Sequence, residues 1–125
     1  MTSLQRINYR PTDEDLSESE VEYLQRHFDA YGKEVVVDGE SLSWEMIDEI
    51  EVVQAARMRG PSGWLVKNFV LGERYHVGIY FQRSELVLTN MTLDTAKYIV
   101  QTIAYYAPGP VNYKGPEGIS PLTEI

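Results

Sequence analysis

Few side chains in this chain could do chemistry. His27 and His76 could move protons near neutral pH. Arg57, Arg59 and Lys67 fall in ARMRGPSGWLVK, three cations without an acid in a chain of net charge −8. Such a group could hold an anion. Gly60-Pro61-Ser62-Gly63 has the composition of a phosphate loop, but no Lys-Ser/Thr pair and no helical pattern follows it. Ser62 has no base within reach by spacing, so nucleophilic catalysis has no support. Two histidines without an acid at ligand spacing make a poor zinc set. Cysteine is absent, which removes disulfides, thiolate nucleophiles and Cys-based metal sites together. His27 lies near Glu22 and Asp29 and reads as solvent-facing. Asp48-Glu49 reads as an acidic connector. The sequence therefore names no catalytic residue, no metal and no cofactor.

The charge is uneven. Residues 1–51 hold 14 acids and 4 bases, and residues 52–125 hold 5 acids and 7 bases. An acidic chain is a poor ligand for DNA or RNA, whose affinity rests on neutralising phosphates. No run approaches the 18 apolar residues of a membrane span, and MTSLQRINYRPTDED lacks the apolar core of a secretory signal. A cytoplasmic location is the expectation. At 125 residues and 43% hydrophobic, the chain has the size of one domain with a real core.

The elements that would position these residues follow from pattern. Residues 1–15 are expected to be a flexible arm, 16–107 a single domain, and 108–125 a Pro/Gly-rich tail. Ser17 and Glu20 form a capping box, with Leu16 and Val21 as its hydrophobic staple. Val21, Leu24, Phe28 and Tyr31 recur at helical spacing and Gly32 supplies a stop, which predicts a helix over 18–31. Asp38-Gly39 between two short apolar runs predicts a hairpin. Residues 44–49 are ambiguous between a helical turn and a connector. Strands are expected at about 50–59, 64–71, 74–81 and in ELVLT, with turns at Gly72-Glu73 and Arg83-Ser84. Thr92 is an N-cap, Asp94 favours the helix dipole, and Leu93, Ala96, Val100, Ile103 and Ala107 share a face, which predicts a helix over 93–106. The fold class is α+β: an antiparallel meander of about six strands with a helix at each end.

Register decides which way the cations point. Two-residue turns at Gly72-Glu73 and Arg83-Ser84 place Trp64, Val66, Ile79, Phe81, Leu86 and Leu88 on one apolar face. A three-residue loop at Pro61–Gly63 then turns Arg57 and Arg59 outward, whereas an even loop would bury both charges. The outward face collects Arg57, Arg59, Lys67, Phe69, His76 and Tyr80. Arg57 opposite Lys67 would destabilise a sheet by roughly 0.2–1 kcal/mol, so a neutralising group is expected nearby. It could be an anion, a partner's acidic surface or the chain's own acidic helix.

Consecutive hairpins, the SWEMIDEIEVV passage into a long strand, and an amphipathic helix straight after the last strand resemble the pleckstrin-homology-like superfold, small bacterial type, over about residues 33–107. The resemblance implies a strongly bent sheet or barrel plugged by the last helix, and a binding role toward lipid headgroups, peptides or proteins. A cystatin-like α+β sheet is the alternative fold. The expected function is a non-enzymatic binding or assembly module that recognises a protein partner, or a second copy, through the basic and aromatic face. Two alternatives stand beside it. One is a small-molecule-binding domain or enzyme with His76 and Tyr80 in a pocket under the first helix. The other is an anionic lipid headgroup, the least favoured occupant.

Overall fold

A computed structural model describes residues 2–55, 74–119 and the backbone of 122–124. The described residues are α+β, with two helices and two sheets among them. The first helix, α1, runs Glu18–His27 and the second, α2, Leu93–Tyr106. Three short strands, β2 (Phe28–Ala30), β3 (Glu34–Val37) and β4 (Glu40–Ser43), make an antiparallel sheet. A single 3₁₀ turn, Trp44–Met46, leads into β5 (Ile47–Gln54). With β6 (Tyr75–Phe81) and β7 (Ser84–Met91), β5 forms one half of a six-stranded mixed sheet. The other half is β8 (Asn112–Lys114), β1 (Thr2–Leu4) and β9 (Leu122–Glu124). The strand order is β7-β6-β5-β8-β1-β9, and β5 and β8 are parallel. The described strands thus divide between two sheets and form neither one meander nor a closed barrel.

Several elements follow from local sequence. Ser17 and Glu20 make the reciprocal capping box at α1, and Thr92 caps α2. Asp38 and Gly39 both take positive φ in the β3–β4 turn, the geometry of a type I′ hairpin. The first helix is shorter than its periodicity suggests. It stops at His27 because Phe28, Asp29 and Ala30 pair with Val37, Val36 and Val35. Phe28 is fully buried there, so strand pairing captures an apolar residue that helical spacing also claimed.

The ends of the chain are tied into the sheet. Residues 2–4, expected in an arm, form β1 between β8 and β9. Leu4 and Ile7 are buried, and Ile7 N–H donates to the Ala104 carbonyl of α2. From the expected tail, Val111, Tyr113 and Ile119 are buried, and the Gln101 amide donates to the Ile119 carbonyl. Gly115 lies so close to this strand that a Cβ would meet the Tyr113 hydroxyl at 2.8 Å and the Val52 carbonyl at 2.9 Å, at φ +151°.

One core joins both sheets. Ile50, Val52, Val77, Ile79 and Leu88 of the large sheet face it together with Ala96, Ile99, Val100 and Ile103 of α2. Trp44 closes the core toward the small sheet. Its ring stacks on Tyr106 at 4.7 Å, Phe28 meets it edge-on, and its Nε1 donates to the Tyr31 carbonyl.

The helix α1 is attached largely through polar side chains, since Leu24 is its one buried residue. Glu20, Tyr23 and His27 share a helical face. Glu20 accepts from the Ser17 N–H at 2.8 Å and from the Thr92 hydroxyl, so one carboxylate serves the N-termini of both helices. The Tyr23 hydroxyl donates to the Thr89 carbonyl of β7 at 2.6 Å. His27 Nδ1 meets the Asp38 carboxylate at 2.5 Å, over the edge of the Tyr23 ring.

Candidate functional site

The expected site residues separate into two groups. Arg57, Arg59, Lys67 and Phe69 lie outside the described residues, as do the expected strand 64–71 and its Gly60–Gly63 and Gly72-Glu73 turns. His76 and Tyr80 are described, and both sit on β6 facing away from α2.

Their neighbours differ from expectation. Residues 64–71 were expected to pair with 74–81. Instead β6 has β5 on one side and β7 on the other, with Ile79 between Ile50 and Leu86. The β5–β6 ladder runs to Gln54 and Tyr75, and the Ala55 N–H donates to the Arg74 carbonyl beyond it. A pairing between segments this far apart leaves no local sequence signal, whereas residues 64–71 lie next to 74–81 in the chain.

The turn between β6 and β7 is also displaced by one residue. It is Gln82-Arg83, both at positive φ, and not Arg83-Ser84. The displacement keeps the parity of the pairing, so Ile79, Phe81, Leu86 and Leu88 remain on one face. Asp48 stabilises this turn. It is the extra residue of a bulge in β5, and its carboxylate accepts the Gln82 N–H at 3.0 Å.

Outward from the core, register places Glu49, Glu51 and Val53 of β5 beside Tyr80, Gly78 and His76 of β6. On the other side Glu85 and Val87 of β7 lie beside Tyr80 and Gly78. The described part of this face is thus acidic and aromatic; the cations expected on it, Arg57, Arg59 and Lys67, lie outside the described residues. Its charged groups are Glu49, Glu51 and Glu85 against Lys114, whose Nζ lies 3.7 Å from Glu49. The acids were legible individually. Their convergence was not, because it depends on β5 and β7 flanking β6.

Tyr80 folds back over Gly78, where a Cβ would meet its ring at 3.3 Å. Its hydroxyl donates to Glu51 Oε1 at 3.0 Å. That hydrogen bond, then desolvation, then the nearby charges of Glu51, Glu85 and Glu49 push the phenol up to about 12. A phenol held in this way is a hydrogen-bond donor at neutral pH. Val53 and Val87 are 43% and 47% exposed at the two sides of this cluster.

His76 has a structural partner. β7 carries a bulge opposite it, with Asn90 at φ 59°, and the Asn90 N–H donates to His76 Nδ1 at 3.1 Å. The bulge lets Leu88 and Met91, three residues apart, both reach the core. His27 is likewise committed, to Asp38, while its side chain stays 39% exposed, in keeping with the solvent-facing position expected for it. Among the described residues no three His, Asp or Glu side chains are arranged to hold a metal ion, and no helix is long and apolar enough to cross a membrane. No protein-family model, curated protein or solved structure matches the chain.

Proposed function

We propose that the protein is a non-enzymatic binding module that recognises a protein partner through the outer face of β5–β6–β7. The observation that carries this reading is the pairing of exposed Val53 and Val87 with an ordered Tyr80–Glu51 contact on a face turned away from α2. Tyrosine and exposed aliphatic groups ringed by charge are the composition of a protein interface. The acids on this face favour a partner whose contacting surface is basic. Against a pocket enzyme built on His76 and Tyr80 stands the use of both side chains: His76 holds the Asn90 amide, and Tyr80 holds Glu51. A pleckstrin-like relationship is part of the same proposal. It is supported by the antiparallel run β5–β6–β7 leading directly into α2.

Photo-crosslinking in the source cells tests the assigned face. A crosslinking residue at Val53 or Val87 should give one discrete protein adduct, whereas one at Glu18 should not. The adduct should disappear in Glu51→Lys/Glu85→Lys. Equal yields from all three positions, or an adduct indifferent to charge reversal, would remove this face from the function.

A further inference from the structure

Among the described residues the large sheet ends at β7. The direction of the β7 backbone groups follows from its turn. Phe81 and Ser84 close a two-residue loop, so they are a hydrogen-bonded pair. Alternate pairs repeat that state, so the N–H and C=O groups of Ser84, Leu86 and Leu88 point at β6. Those of Glu85, Val87 and Thr89 point away from it. An independent contact agrees: the Thr89 carbonyl is the one that Tyr23 of α1 reaches. Among the described residues no hydrogen bond reaches the outward groups of Glu85 or Val87.

We propose that the β7 edge at Glu85–Val87 docks an extended cationic segment of a partner protein, added as a further antiparallel strand. The inference rests on the binding-module reading above and specifies how the partner is held. Among the described residues this edge is bounded by the Gln82-Arg83 turn at one end and by Tyr23 at Thr89 at the other. That leaves room for about five residues, or about 17 Å of strand. The outward groups of Glu85 and Val87 offer two donors and two acceptors to an incoming backbone, the mode of strand addition used by many peptide-binding domains.

Side chains select the occupant. Glu85 is exposed at this edge, and Glu51 and Glu49 lie on the same outer face two strands away, on β5. A cation opposite Glu85 would be a favourable cross-strand pair. An apolar residue would fit opposite exposed Val87, and another opposite partly buried Leu86. Read along the partner, the pattern is apolar, apolar, cationic. A second copy fits less well, because each copy carries −8 and would bring Glu85 near its own counterpart.

The probe is the peptide acetyl-Lys-Val-Leu-Arg-Lys-amide, titrated into the ¹⁵N-labelled full chain. Its control carries N-methyl groups on Val and Arg, which keeps the charge but removes the donors that must meet β7. The unmodified peptide is expected to shift and protect the Glu85 and Val87 amides, and to bind at least about tenfold more tightly than its control. Glu85→Lys should abolish the difference. Equal binding of both peptides, with shifts at Glu49, Glu51 and Tyr80, would overturn the edge while leaving the face intact. No response to either peptide would overturn the edge, and the crosslinking result would then decide the face separately. Protection of the same amides by raising protein concentration alone would assign the edge to a second copy and overturn the cationic occupant.

Discussion

Replacing Glu20 by alanine removes an acceptor shared by two helix N-termini. Its Oε1 takes the Ser17 N–H and its Oε2 takes the Thr92 hydroxyl. Losing the reciprocal arm of a capping box costs about 1 kcal/mol. Leaving the Thr92 hydroxyl without its acceptor adds about 1 kcal/mol. The expected loss is about 2 kcal/mol at neutral pH, a fall in Tm of about 6–10 °C for a chain of this size. Glu22→Ala is the control, because Glu22 only makes an exposed pair with Arg26 at 3.1 Å. It should cost about 0.3–0.5 kcal/mol. The pH dependence has a definite sign. Burial pushes the Glu20 pKa up, but the bonds from Thr92, Ser17 and Thr95 together outweigh it and hold the value below 4.5. A carboxylate with a lowered folded pKa stabilises above its unfolded value and loses that contribution as pH falls through the folded one. The gap between wild type and Glu20→Ala should therefore be full at neutral pH and close in acid. Urea unfolding followed by tryptophan fluorescence at both ends of that range measures it. The reasoning fails if Glu20→Ala costs no more than Glu22→Ala, or if the gap is the same at both pH values.

Glu51→Gln should bring the Tyr80 phenol down from about 12 toward 10, read by ultraviolet titration against Tyr80→Phe. Burial raises Tyr113 to about 12, and burial with the Asp38 charge does the same for Tyr23. Stability should hold below pH 10 and fall as pH rises toward 12, and Tyr23→Phe and Tyr113→Phe should each flatten that fall. Gly115→Ala forces a Cβ against the Val52 carbonyl at positive φ, and chemical denaturation should show a loss of about 1–3 kcal/mol. Trp44→Ala empties the space between Tyr106 and Phe28 and should cost about 3–5 kcal/mol by the same measurement.

What the sequence revealed was whatever is fixed within a few residues. The Thr92 cap and the spacing of Leu93, Ala96, Val100 and Ile103 place α2 at its observed bounds. Asp38-Gly39 marks its hairpin, and Ser17 with Glu20 marks the start of α1. Competition obscured the end of α1, where Phe28 suits a helix stripe and a strand equally and β3 takes it. The Gln82-Arg83 turn has no glycine to announce its positive φ values, and its support comes from Asp48, 34 residues away. The candidate site was harder. His76 and Tyr80 were placed on the outward face by alternation alone, which needs no partner strand. The carboxylates around Tyr80 come from two other strands, and only the strand order brings them together.

The position of β1 bears on how the chain matures. Among the described residues Thr2–Leu4 finds its strand partners in Asn112–Lys114 and Leu122–Glu124. During synthesis β1 must wait for β8 and β9, more than a hundred residues later. Until then Leu4 and Ile7 have no completed core to enter, and the ladder beyond β5 stays open. Such distant pairing slows folding because loop closure must precede the contacts that reward it. Pulse-labelling of nascent chains should find β5, β6 and β7 protected while β1 still exchanges freely.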